Sequence, residues 1–133
     1  MELEIILYVA NQALSRDFYI RLLGKQPELD VPGMTEFRIS EKCKLGLMPN
    51  KGIARILGDL VPNPESGTGI PRCELYLRVK DSYREFENAL KAGARFISPV
   101  SARDWGEQVG YLADPDGHII AFAETIRQKN PPG

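Results

Sequence analysis

The feature that most constrains this chain is an internal echo: Glu4-Ile5-Ile6-Leu7-Tyr8-Val9 returns as Glu74-Leu75-Tyr76-Leu77-Arg78-Val79. A repeat dictates architecture before any single residue does, because each copy has to bury the same face in the same way. With the two-residue period of a strand, Ile5, Leu7 and Val9 share an apolar face while Glu4, Ile6 and Tyr8 share the other. The second copy sorts alike, Leu75, Leu77 and Val79 standing against Glu74, Tyr76 and Arg78. An apolar face calls for a helix packed on it, and a mixed face for water or a ligand. The repeat thus nominates Glu4 and Glu74 as equivalent carboxylates, and Tyr8 and Tyr76 are read as counterparts too.

The segment after each copy supplies the helix. Asn11 is an N-cap for a helix with the stripe Leu14, Phe18 and Leu22, stopped at Gly24. Asp81 caps a second helix with the stripe Tyr83, Phe86 and Leu90, closed at Gly93. Shorter strands are expected at Pro27–Asp30, Met34–Ile39 and Cys43–Met48 in the first half, and at Arg95–Ser98, Gln108–Ala113 and Ile119–Ala123 in the second. Asp114-Pro115-Asp116-Gly117 has the proline and glycine of a tight turn and predicts a hairpin. Ile53, Ile56, Leu57 and Leu60 predict one or two helical turns before a Pro- and Gly-rich linker at 62–71. The expected organisation is one domain over 1–126, made of a first module with its short helix (1–61), the linker, and a second module (72–126), with a flexible tail at 127–133.

A chain of 133 residues buries enough surface for one core without metal or disulfide staples. A net charge of −1 with no basic run argues against nucleic acid or an anionic membrane as partner. No apolar stretch reaches membrane length and Glu2 and Glu4 spoil a signal peptide, so a cytoplasmic location is expected. Cys43 and Cys73 lack metal-type spacing and, by parity with Leu45 and Leu75, read as buried reduced thiols. His118 reads as a turn residue, and turn chemistry accounts for Asp114 and Asp116.

The βαβββ pattern used twice, the run from Leu7 to Gly24, and Arg103-Asp104-Trp105-Gly106 followed by Asp114-Pro115-Asp116-Gly117-His118 and Phe122-Ala123-Glu124 resemble the vicinal oxygen chelate superfamily. That group includes glyoxalase I, bleomycin-resistance proteins and extradiol dioxygenases. The resemblance covers nearly the whole chain and implies an α+β fold. Two βαβββ modules would form a curved, cavity-enclosing mixed β-sheet with helices outside, commonly in a homodimer. It implies two metal ligands from each module in the metal-dependent members. Glu4 and Glu74 fall where the early ligands stand, but Gly46 (or Met48 in a shifted register) and Ala121 fall where the late ones would. Two carboxylates without an imidazole hold zinc, nickel or iron poorly, and Mg²⁺ or Mn²⁺ would need substrate oxygens as well.

The leading expectation is therefore a small-molecule-binding protein with no cofactor. Its ligand would be partly aromatic or anionic and would meet Tyr8, Met48, Tyr76, Arg78, Arg103, Trp105 and Ala121, Trp105 lying on the loop that covers the cavity in this family. The alternative is a glyoxalase-like lyase in which Glu4 and Glu74 hold a divalent metal, and a third reading is a metal-free isomerase using one glutamate as acid or base. Arg78 stands too far along its strand to pair easily with Glu74 and is left for an anionic ligand or a distant acid; Arg103 is either a loop salt bridge or a ligand clamp.

Overall fold

A computed structural model describes residues 1–126; the expected tail at 127–133 lies outside the described residues. The chain divides into two compact units that meet in sequence at Ile70 and Pro71.

The first unit runs β1 (Leu3–Val9), α1 (Gln12–Leu23), β2 (Leu29–Val31), β3 (Met34–Ser40), β4 (Cys43–Pro49) and α2 (Asn50–Leu57), then single 3₁₀ turns at Gly58–Leu60 and Pro64–Gly67. Its sheet has the order β1-β4-β3-β2, with β1 parallel to β4 and the remaining neighbours antiparallel. The second runs β5 (Glu74–Arg78), α3 (Ser82–Lys91), β6 (Arg95–Ala102), β7 (Glu107–Ala113) and β8 (Ile119–Thr125), in the order β5-β8-β7-β6 with the same pairing senses. Each unit is thus a βαβββ module, and the fold is α+β. Among the described residues no helix is long and apolar enough to cross a membrane.

Local chemistry starts and stops the helices where the sequence indicates. Asn11 accepts from the Leu14 amide at 3.0 Å and Asp81 from the Arg84 amide at 3.1 Å, each satisfying a donor that the first helical turn leaves orphaned. Gly24 ends α1 in the left-handed region at φ 66°, and Gly93 follows α3 at φ 104°. The buried stripes differ from the expected ones. Leu14 and Tyr83 are exposed, and α1 buries Ser15, Phe18, Tyr19 and Leu22 while α3 buries Ser82, Phe86 and Ala89. Small residues let each helix approach its sheet, which tilts the buried face away from the bulky side chains of the first turn. Tyr19 packs edge-on against Phe18 with centroids 5.0 Å apart and reaches Phe37 across the core.

Several boundaries move. The weak strand at Pro27–Asp30 forms as Leu29–Val31, and β6 runs on to Ala102 through Pro99. Proline is tolerated there because β6 is an edge strand with register breaks on either side of Ser98. The expected linker contains the 3₁₀ turn Pro64–Gly67, capped by Asn63 on the Glu65 amide at 2.9 Å. Cys73 is exposed and Cys43 half-buried, both reduced, which corrects the reading of two buried thiols. Pairing of β5 begins at Glu74, so strand parity does not extend to Cys73.

Candidate functional site

The repeat, which sets Glu4 against Glu74, and the register within each module together give the corresponding residues. Ile6 lies opposite Gly46 and Tyr76 opposite Ala121, while Tyr8 lies opposite Met48 and Arg78 opposite Ala123. Tyr76 therefore corresponds to Ile6, and Tyr8 to Arg78; the pairing of Tyr8 with Tyr76 read from the sequence slips by one side-chain period. The same register selects Gly46, not Met48, as the counterpart of Ala121.

In the first module, Glu4, Ile6 and Tyr8 share a face with Lys44, Gly46 and Met48 of β4 and with Glu36 of β3. The Glu4 carboxyl lies over Gly46: a Cβ at that position would stand 2.5 Å from Glu4 Oε2. That oxygen is buried with no donor. Burial, then the hydrogen bond and charge of neighbouring Glu36, push the Glu4 carboxyl from 4.5 up to about 7, against the opposing charge of Lys44. Lys44 Nζ stands 3.7 Å from Glu36 and 3.8 Å from Glu28. The neighbouring carboxyl, Glu36, is a residue the sequence does not single out.

This arrangement has a consequence for stability. A carboxyl whose folded pKa exceeds its unfolded value carries no penalty below about 4.5, where both states are protonated, and the penalty grows until pH passes about 7. Glu4 is only partly buried, so after discounting for screening the penalty is about 1 kcal/mol. Glu4→Gln, which can donate to Glu36 at every pH, is expected to stabilise the protein by about that amount near pH 8 and to leave it unchanged near pH 4. Urea melts at both pH values measure this, and equal effects at the two would refute the upward shift of Glu4.

The second module gathers the aromatic and cationic candidates. Glu107, buried at the first position of β7, accepts from Tyr76 Oη at 2.6 Å and from Arg78 Nε at 2.9 Å. Trp105 Nε1 donates to Tyr76 Oη at 2.8 Å, and the Arg78 guanidinium lies 5.1 Å from the Tyr76 ring centroid. Hydrogen bonds from Arg78 and Tyr76 hold the Glu107 carboxyl below its ordinary range, so it is ionised at neutral pH. Burial, followed by the hydrogen bond to that anion, raises Tyr76, which keeps its proton; the bond to Glu107 likewise raises Arg78. Tyr76 and Tyr111 pack over a floor of Val109, Ala121 and Ala123, so Ala121 is fully buried. Arg78 takes the distant-acid role left open by the sequence.

Arg103 forms no salt bridge among the described residues. Its guanidinium donates to the carbonyls of Val109 at 2.9 Å and Pro99 at 3.0 Å and to Ser98 Oγ at 3.1 Å, stacks over Tyr111, and so ties down the hairpin that carries Trp105. Glu74 is exposed at the start of β5. Two hollows lie elsewhere: one of about 330 Å³ beside Gln12, Arg16 and Asp30, and one of about 590 Å³ beside Lys80, Gln108 and Glu124. Their polar walls bond internally, Arg16 to Asp30 at 3.1 Å and Glu124 to the Ser82 amide at 2.8 Å.

The residues present do not fit a divalent metal of the kind the resemblance implies. Gly46 and Ala121 offer no donor atom, Ala121 is covered by two tyrosines, and the Lys44 cation acts on Glu4. Asp114, Asp116 and His118 bring potential ligand atoms within 4.8 Å of one another. Yet one Asp114 oxygen accepts from the amides of Asp116 and His118, and the other meets His118 Nδ1 at 2.8 Å, the bonding of a turn.

Known proteins resemble the chain over nearly its full length. An uncharacterized protein of Mycobacterium bovis is 28% identical over 127 residues, covering 93% of this chain and 83% of the relative. A glyoxalase-related enzyme from Fulvimarina pelagi superposes with a TM-score of 0.80 at 24% identity, covering 94% of this chain and 88% of that one. A glyoxalase/bleomycin resistance protein/dioxygenase from Nocardioides superposes with a TM-score of 0.77 at 19% identity, covering 100% and 88%. At these identities the structural likenesses establish the fold. The family model for the glyoxalase-like domain matches residues 3–127, and the chain belongs to that family, within the vicinal oxygen chelate superfamily.

Proposed function

We propose that this protein binds a small, partly aromatic or anionic molecule on its module faces without a complete metal site, as a bleomycin-resistance-like member of its family. The observation that carries the reading is the contrast between two sets of positions. The late ligand positions, Gly46 and Ala121, are bare of donors, while Tyr76, Arg78 and Trp105 stand joined through hydrogen bonds in an aromatic and cationic array. Flat apolar surface beside a few fixed polar groups is the composition of a small-molecule site. The homodimer and cytoplasmic location expected from the sequence belong to the same reading.

The test joins elemental analysis to Trp105 fluorescence and calorimetry with a panel of planar aromatic compounds, acidic, neutral and basic. Saturable binding that shifts Trp105 emission and is unchanged by chelator is the expected result. The metal-dependent lyase becomes the better reading if the purified protein holds a stoichiometric divalent ion that Glu4→Gln and Glu74→Gln each remove. No response across the panel overturns the binding reading.

A further inference from the structure

Resting on that reading, we propose a ligand class: a planar aromatic carboxylate, its ring stacked on Trp105 and its carboxylate on the outer edge of Arg78, with Glu107 as the positioning residue for both. Glu107 engages Arg78 through Nε at 2.9 Å and Nη2 at 3.3 Å, which occupies one edge of the guanidinium. Nη1 has no acceptor among the described residues, and the Arg78 side chain is 70% exposed, so the remaining edge faces outward as a fork matched to a carboxylate. The same Glu107 carboxylate holds Tyr76 at 2.6 Å, and Tyr76 in turn accepts the indole N–H. The only polar atom of the Trp105 side chain is thereby bonded within the module while the residue remains 56% exposed, which leaves an apolar ring surface on offer. Arg103 fixes the base of the same hairpin, so the platform is preorganised and little side-chain entropy is lost on stacking. Because Glu107 already balances the charge of Arg78, selectivity for an acid comes from directed hydrogen bonds and not from a net positive field.

The probes are naphthoate and naphthalenemethanol, which share a ring system and differ in the carboxylate. Titrated into the full chain and read by calorimetry and Trp105 emission, naphthoate is expected to bind about tenfold tighter than the alcohol. Arg78→Gln should abolish that preference with little change for the alcohol, and Trp105→Leu should weaken both probes in calorimetry. Glu107→Gln should shift Trp105 emission in the free protein, since Tyr76 loses its charged acceptor; circular dichroism confirms that each variant is folded. Equal affinity of the wild type for acid and alcohol, or a preference that survives Arg78→Gln, overturns the aryl-carboxylate assignment while leaving the small-molecule reading standing. Failure of both probes overturns the assignment as well, and the wider panel then decides the reading beneath it.

Discussion

Asp114→Ala is expected to destabilise the second module by about 3 kcal/mol, the combined effect of stranding several donors around one buried acceptor. The Asp114 side chain is fully shielded and accepts from the Asp116 amide at 2.9 Å, the His118 amide at 2.9 Å and the His118 ring at 2.8 Å. The turn it organises sets the register in which Ala113 meets Ile119, and so aligns β8 with both β7 and β5. His118 adds a pH signature. Burial opposes its protonation, but the hydrogen bond and charge of Asp114, joined by Asp116, outweigh burial and raise the imidazole above its usual 6.5. A histidine raised on folding contributes its ionic stabilisation fully below the unfolded value and loses it as pH climbs through the folded one. His118→Gln should therefore cost more stability near pH 5.5 than near pH 8.5, whereas Asp114→Ala should be severe at both. Denaturant midpoints for the two variants at the two pH values check this. A cost for His118→Gln that does not vary with pH would show that folding leaves the imidazole pKa unshifted.

The residues that were legible in the sequence act on neighbours close in the chain. Asn11, Asp81, Gly24 and the Asp114–Gly117 turn each work within a few residues of themselves, so composition and spacing reveal them. The repeat was legible for a different reason, since both copies solve the same burial problem and arrive at the same sheet order. The site was harder to see because it is assembled across strands. Glu107 meets Tyr76 and Arg78 only because β7 and β5 flank β8, and Glu36 reaches Glu4 only across the β4 strand that carries Gly46. One signal was available for Glu107: alternation with Val109 and Tyr111 puts it on the aromatic face, provided the strand begins at Glu107 and not at Gln108. Placing the start one residue late dropped the acid that organises Tyr76, Arg78 and Trp105. The slip between Tyr8 and Tyr76 has a related cause, because matching residue types across two copies does not by itself keep their order; Ile6 and Arg78 were the true counterparts.

Gly110→Ala is expected to destabilise the second module by about 2 to 3 kcal/mol. A Cβ at Gly110 would stand 2.5 Å from Phe86 Cδ2 and 2.7 Å from Val100 Cγ2, well inside contact distance. Phe86 is 5% exposed and lies edge-on against Phe96 with centroids 5.9 Å apart, so its ring cannot simply swing away. The absent side chain is what lets α3 settle on β7, and Ser82 and Ala89 keep the same helix close to the sheet. The contrast with Gly46 gives the prediction its control. A Cβ there meets Glu4 Oε2 and Ile6 Cδ1 at 2.5 Å each, the far ends of two half-buried side chains, and Gly46→Ala is expected to cost less than half as much. Calorimetric melts of the two variants side by side distinguish a strand-to-helix contact with no slack from one with slack. Equal losses would mean that Glu4 is held as firmly as Phe86, and the first module's carboxyl would then have to be treated as a fixed part of its core.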